Sequence, residues 1–268
     1  MKRHIFSYTA KELEPYIDWS YLLHAWSMDS KSEAARELIE EAREMLEECG
    51  ETECIHALFA LCSARQQNDD IIIEETTTLP LLRQQHAIPR KPNLCLSDFV
   101  SPYGDKIGLF ATTVEHSFGE RYSNDTYRSL LAQTLASRLA EAAATLLHLK
   151  VRTDTEIWGY SPDEHLTPDE LKAEKNQGIR PAIGYPSLPD QSVIFIIEKL
   201  LGMDEIGIKL TANGAMEPHA SVCGIMLAHP QARYFAVGDI SDAQLADYAA
   251  RRGLSTGDAR KFLTKNIQ

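Results

Sequence analysis

Apolar residues recur at steps of three and four across residues 31–49, "KSEAARELIEEAREMLEEC". Ala35, Leu38, Ile39, Ala42, Met45, Leu46 and Cys49 fall on one stripe there, which predicts an amphipathic helix. Two short apolar runs follow, 54–61 (CIHALFAL) and 70–76 (DIIIEET), and the polar CSARQQND between them reads as the connection of a hairpin. KIGLFATTV (106–114) reads as a further strand. From Thr126 to Arg152 the helical period returns, with Tyr127, Leu130, Leu131, Leu135, Leu139, Ala143, Leu146, Leu147 and Val151 on an apolar face. Thr134, Ser137, Arg138, Glu141, Thr145 and His148 lie opposite them. In LTPDELKAEKNQG, Thr167 is placed to cap a helix, Pro168 suits its first position, Glu170 completes a capping box, and Gly178 is placed to stop it. Residues 192–201 read as a short buried helix. IGIKLTA, SVCGIMLA and RYFAVGDI then read as strands, and helices at 241–251 and 256–265 end the pattern, the first with Ser241 and Gln244 as its capping box.

Strands cluster instead of alternating regularly with helices. That favours an α+β fold, a twisted and largely antiparallel sheet flanked by helices, over a doubly wound one. No repeat or linker divides the sequence, so a single domain over 1–268 is expected.

Composition narrows the function classes. A net charge of −12 argues against nucleic acid as the main ligand, and basic runs such as RQQHAIPRK (83–91) are too short to reverse it. No apolar run reaches the length of a membrane span, and the amino-terminal residues lack a secretory pattern, so a cytoplasmic location is expected. Five cysteines without a C-x-x-C pair indicate reduced thiols and neither a disulfide framework nor a zinc site. The histidines show no H-E-x-x-H spacing and there is no G-x-S-x-G, which leaves an unrelated hydrolase or metalloenzyme as the weakest reading.

The densest chemistry is in GIRPAIGYPSLPDQ (178–191), with three prolines, two glycines and one arginine. Proline fixes its own φ and pushes its predecessor toward extended geometry, which predicts an open, rigid loop with carbonyls left over for a ligand. Gly184 permits close approach to the backbone, and Arg180 supplies a planar fork for a carboxylate or phosphate. Local pattern alone allows a second reading, a surface loop whose arginine pairs with a neighbour.

This stretch resembles the motif G-I-R-P-A-x-G-Y-P-x-x-P-[DE]-H of the activation domain of cobalamin-dependent methionine synthase. IDWSYLLHAWSM (17–28), CLSDFVSP (95–102) with IGLFATTV, LASRLAEAAATLLH (135–148), WGYSPDEHLTPDEL (158–171), AMEPHASVCG (215–224) and HPQARYFAVGDISDAQLADYAARRG (229–253) are similar to segments of that domain in the same order. The resemblance implies a fold that binds S-adenosylmethionine and presents its methyl group to inactive cob(II)alamin, with one electron from a flavodoxin-like donor. It carries the ligand-binding positions over as Asp18, Glu141, Glu174, Arg180, Ala182, Gly184, Tyr185 and Tyr234. Carboxylates, carbonyls and aromatic faces suit a sulfonium cation, and Arg180 suits the carboxylate of an amino acid. Singly, each has another reading: Asp18 as a helix cap, Glu141 and Glu174 as solvated helix charges, Tyr234 as core.

Several positions depart from the family pattern. Gln191 stands in place of the histidine that ends the motif, Ser137 in place of an expected aspartate, and Glu217 and His219 in place of tryptophan and glycine. The sequence has no D-x-H-x-x-G cobalamin-ligand motif, since Pro168 follows Asp163-Glu164-His165 where glycine is required. The expected cobalamin is therefore on a partner, a methionine synthase or related corrinoid protein. Two functions follow from the resemblance: a reactivation module that acts in trans, or a sensor or scaffold that keeps only the S-adenosylmethionine pocket. Neither requires a covalent nucleophile, general base or bound metal in this chain.

Overall fold

The computed structural model describes residues 1–86 and 92–267, so the latter part of the basic run 83–91 lies outside the described residues. Strand β1 (Lys2–Thr9) leads through the short helix α1 (Ala10–Leu13) to α2 (Trp19–Ala25) and then to α3 (Glu33–Glu48). Strands β2 (Glu53–Gln67), β3 (Asp70–Ile73), β4 (Thr77–Pro80) and β5 (Asp105–Val114) follow. Next come α4 (His116–Glu120), the 28-residue α5 (Thr126–Thr153), α6 (Pro168–Lys172) and α7 (Ile194–Leu201). The remainder is a two-stranded ribbon of β6 (Lys209–Leu210) and β7 (Met216–Glu217), strand β8 (Ser221–Met226), and helices α8 (Asp242–Arg252) and α9 (Thr256–Phe262).

The main sheet has the order β4-β3-β2-β5-β8, with β1 paired to β2 as well, and every pairing is antiparallel. The α+β expectation therefore holds. Both faces of the central strands are covered, which is why ALFAL and IGLFAT read as continuous apolar runs and not as an alternation. Phe59 and Phe110 point into the cluster beneath α3 and α5 with Leu38, Leu139 and Leu147. Leu58, Ala60, Leu109 and Ile225 point the other way, into a second cluster with Ile194, Ile197 and Leu201 of α7. A third cluster, with Leu245, Tyr248, Ala249 and Leu263, packs the last two helices.

Five readings are corrected. The polar CSARQQND is not a connection: β2 continues through Gln67, the pairing Gln67↔Asp70 leaves a two-residue turn, and Asn68 takes the positive φ the turn demands. RYFAVGDI joins no sheet ladder. IGIKLTA contributes only the two residues of β6, and Met203–Ile206 before it is a 3-10 turn. The helix opened by Thr167 has the expected capping box, but it ends at Lys172 and not at Gly178. Glu174 takes a left-handed φ of 54° there, with Glu174 N–H donating to Leu171 O and Lys175 N–H to Glu170 O. That is the hydrogen-bond pattern of a Schellman stop, with glutamate where glycine is usual. On α5, Tyr127 and Leu130 face solvent and not the core, whereas His148, from the opposite face, is buried.

Among the described residues no helix is long and apolar enough to cross a membrane, and all five cysteines are free and buried.

Candidate functional site

The proline-rich stretch does not float free of the sheet. It runs antiparallel along the open edge of β8, bridged at Ile179↔Leu227 and Ala182↔Gly224. Ile179 and Leu227 exchange both backbone hydrogen bonds, at 3.0 and 2.9 Å, while Ile225 N–H donates to Pro181 O and Ile183 N–H to Cys223 O. Prolines at 181, 186 and 189 keep this from becoming a regular strand, because each lacks an N–H for a ladder. Fewer carbonyls remain for a ligand than the sequence suggests: those of Ile179, Pro181, Ala182, Tyr185, Pro186 and Leu188 each accept a backbone N–H.

Gly224 is what lets the stretch lie so close. A Cβ there would sit 2.2 Å from Pro181 O and 2.8 Å from Ala182 Cα. We expect Gly224→Ala to push residues 181–183 off the sheet edge and to destabilise the fold by about 1–3 kcal/mol, the usual cost of overpacking. Urea denaturation reads this directly, and a wild-type midpoint would mean the edge tolerates the methyl group.

Beyond the bridge the chain turns at Gly184, whose φ is 84°; Arg180 before the turn and Tyr185 after it reach α5, and Tyr234 from the 233–240 segment meets the backbone of Arg180. Arg180 Nη1 donates to Glu141 Oε2 at 3.2 Å and Nη2 to Thr145 Oγ1 at 3.0 Å. Tyr185 Oη donates to the other oxygen, Glu141 Oε1, at 2.7 Å, and Arg180 N–H donates to Tyr234 Oη at 3.0 Å. Burial works against the Arg180 charge, but Glu141 outweighs it and holds the guanidinium above its ordinary pKa. Burial, then Glu141, pushes the Tyr185 phenol up, so it is present as a donor at neutral pH. Burial likewise raises Tyr234, with Arg180 opposing and Glu174 reinforcing. Even so, 51% of Tyr185 and 40% of Tyr234 face solvent, and both rings offer an aromatic face.

Beside this cluster is a cleft of about 110 Å³. Ser137, Arg138 and Glu141 of α5 form one wall, Ala182, Ile183 and Tyr185 a second, and Met216 with His219–Cys223 a third. Sequence reasoning singles out Glu141, Ala182 and Tyr185 of these as ligand positions. The wall from Ala220 to Cys223 carries no local signal, because its place depends on the register of β8. Two departures from the family pattern, Ser137 and His219, line the same cleft; a third, Gln191, lies against the turn, where a Cβ on Gly184 would be 2.8 Å from its Oε1.

Glu174 is exposed, and its charge is felt at Tyr234. Asp18 is placed differently. It caps α2, with Oδ1 accepting from Ser20 N–H at 3.0 Å and Ser20 Oγ at 2.5 Å, and it does not line the cleft. One turn further on, Tyr21 lies under the Arg138 guanidinium at 5.7 Å, which is how α2 meets the cleft wall.

A family model described as the vitamin B12 dependent methionine synthase activation domain matches residues 9–253. The chain belongs to this activation-domain family. A solved structure described as the MetH reactivation domain bound to AdoHcy is similar to it throughout, with 34% identity and a TM-score of 0.91, covering 100% of this chain and 90% of that one. In this activation domain the arginine, the carboxylate and the two phenols are thus assembled by a stretch of irregular chain laid on a sheet edge, by the 233–240 segment that carries Tyr234, and by one face of α5.

Proposed function

We propose that this activation domain binds S-adenosylmethionine at the Arg180–Glu141–Tyr185 cluster. In this reading it supports reductive methylation of cob(II)alamin carried by a cobalamin-dependent methionine synthase or related corrinoid methyltransferase. The observation that carries the reading is the guanidinium of Arg180 paired with the Glu141 carboxylate, which itself lines the cleft. Their charges complement the two ends of an amino acid. Arg180 is the partner for its carboxylate through two parallel N–H donors, and Glu141 is the partner for its ammonium. The similarity to a domain described as bound to AdoHcy supports the same ligand chemistry here.

Without ligand the two groups neutralise each other, so binding exchanges an internal ion pair for two intermolecular ones. The cleft is smaller than the roughly 300–1,000 Å³ usual for small-molecule sites. In this reading Tyr185, which lines the cleft and is bonded to Glu141 by its hydroxyl, moves aside to admit the ligand. Asp18, Glu174, Ala182, Gly184 and Tyr234 are proposed as further ligand positions: the carboxylates and the Tyr234 face toward a cationic sulfur, Ala182 and Gly184 through backbone approach. S-adenosylmethionine supplies an electrophilic methyl group, which the corrinoid accepts together with one electron from a flavodoxin-like donor, leaving S-adenosylhomocysteine. The protein's part is binding, orientation and exclusion of water, with no nucleophile or base of its own. Function beside a cytoplasmic methionine synthase fits this chemistry.

The test mixes the protein with a corrinoid methyltransferase in its cob(II)alamin state, a one-electron reductant and methyl-labelled S-adenosylmethionine. Label in methylcobalamin is the expected result. Tight binding by calorimetry without label transfer would instead favour a sensor or scaffold, the reading that Ser137 and His219 in the cleft wall support. No binding at all would overturn both.

A further inference from the structure

The ligand stretch ends at Asp190, whose side chain is 98% buried with only 2% exposed. Tyr248 Oη donates to its Oδ2 at 2.6 Å, and Arg252 Nε donates to the same oxygen at 3.3 Å. Arg252 Nη2 also donates to Ser192 Oγ at 2.6 Å, and the other carboxylate oxygen caps the following turn through Ser192 N–H at 2.8 Å. Tyr248 and Arg252 are four residues apart on one face of α8, a helix that also packs through the apolar Leu245 and Ala249 and is tied to the sheet by Arg251 on Asp70 and on Leu81 O. Leu188, two residues before Asp190, is in turn the hinge of the site. Its N–H donates to Tyr185 O and its carbonyl accepts from Gly184 N–H, both at 2.9 Å. Pro189 joins the two with a fixed φ, so a shift of Asp190 is passed to Leu188 and from there to the residue that reaches Glu141.

A buried ion pair adds little net stability, since desolvation offsets its attraction, but removing a partner is costly and its geometry is unforgiving. Leu245 and Ala249, with Arg251 on Asp70, already secure α8 to the rest of the fold. The polar triad at this point does something packing does not, which is to fix the end of the ligand stretch in one position.

We propose that Tyr248 and Arg252 are positioning residues for the ligand site, holding Gly184 and Tyr185 in register with Glu141 through the Asp190 carboxylate. As far as it concerns ligand affinity, the inference rests on the S-adenosylmethionine reading above. Burial and the Asp190 charge push the Tyr248 phenol well up, which keeps it a donor at neutral pH.

The experiment compares Tyr248→Phe, which removes only the hydroxyl, with Ala249→Gly, which weakens the same helix through propensity without touching Asp190. Affinity for S-adenosylmethionine and S-adenosylhomocysteine is measured by calorimetry, stability by urea, and amide exchange at Gly184 and Leu188 without ligand. Tyr248→Phe is expected to weaken binding about 5- to 20-fold, within the roughly 2- to 30-fold that couplings through packed networks reach, and to speed exchange at both amides. Ala249→Gly is expected to lower stability and leave affinity and both amides unchanged. In an Asp190→Asn background Tyr248→Phe is expected to have no further effect on affinity. Wild-type exchange at Gly184 and Leu188 in Tyr248→Phe overturns the inference. So does unchanged affinity in that variant, or an equal loss in Ala249→Gly. Should the wild-type protein bind neither compound, the ligand reading fails by itself, and the exchange rates still decide whether α8 orders the stretch.

Discussion

Arg180→Ala is expected to weaken S-adenosylmethionine binding about 30- to 100-fold, or ~2 to 2.7 kcal/mol. Hydrogen bonds to a charged group contribute about 1.5–3 kcal/mol each where water is excluded. The guanidinium offers two of them to a ligand carboxylate. The sum is reduced because Arg180 must first leave Glu141 and Thr145, from which it is 3.2 and 3.0 Å away. In the variant Glu141 starts free of that pair, so the ammonium end of the ligand loses nothing. Stability should fall by about 1–3 kcal/mol, because both side chains are largely buried (20% and 23% exposed) and the substitution leaves Glu141 with the Tyr185 hydroxyl in place of a guanidinium. The backbone N–H that holds Tyr234 is untouched by the substitution. Arg180→Lys should recover only part of the affinity, since an ammonium cannot present two parallel donors. Calorimetry on the three proteins checks this, and wild-type affinity in Arg180→Ala would remove the residue from the site.

The elements with a strong period are the ones sequence alone locates. The α3 stripe is buried at Ala35, Leu38, Ala42, Met45 and Leu46 as its spacing predicts, and the strand at 106–114 and the cap at Ser241 are where the pattern puts them. Strand β1 escapes because its signal is short and half-polar. Only with its register known does the alternation His4, Phe6, Tyr8 stand out as one stacked row, with ring centroids 6.2 and 6.4 Å apart. RYFAVGDI fails for the opposite reason. It has the composition of a strand and is extended, but its hydrogen-bonding groups are used as a brace for the ligand stretch: Phe235 exchanges bonds with the Ser187 hydroxyl, and Val237 N–H donates to Pro186 O. Composition does not say which partner an extended segment meets.

The site is legible in part for the same reason. Arg180, Tyr185 and Glu141 stand out by type and by motif, yet their mutual pairing depends on how far the stretch sits along β8, which Gly224 and Gly178 set by their missing Cβ atoms. The role of Asp190 is hidden altogether, since its partners are 58 and 62 residues away in sequence. The resemblance to a family places residues on a map; the hydrogen bonds show which of them act together.

The largest loss of stability is expected from a residue outside the ligand cluster. Arg152→Ala should destabilise the protein by about 3–5 kcal/mol, the usual result of leaving one member of a buried ion pair alone. Arg152 is 1% exposed and donates through Nε and Nη2 to Glu164 Oε1, which is 8% exposed. The pair ends a polar row on α5 that steps from Glu141 through Thr145 and His148 to Arg152, one turn at a time. Burial, with Arg152 and Arg180 nearby, pushes His148 well below its ordinary pKa, so it sits neutral against the Tyr160 hydroxyl at 2.9 Å. Among the described residues Arg152 and Glu164 are ion-paired only with each other, so loss of either leaves the other without its counter-charge. Replacing both at once, Arg152→Met with Glu164→Leu, should restore stability to within about 1 kcal/mol of wild type, because the desolvation cost disappears with the pair. Ligand affinity should not return with it. The free oxygen of Glu164 accepts the Gln177 N–H at 3.4 Å, immediately before Gly178, and a leucine cannot hold the entry to the ligand stretch in that way. Urea denaturation and calorimetry on the single and double variants separate the two roles: stability regained without affinity is the expected result, whereas both regained together would show that the pair serves the fold alone.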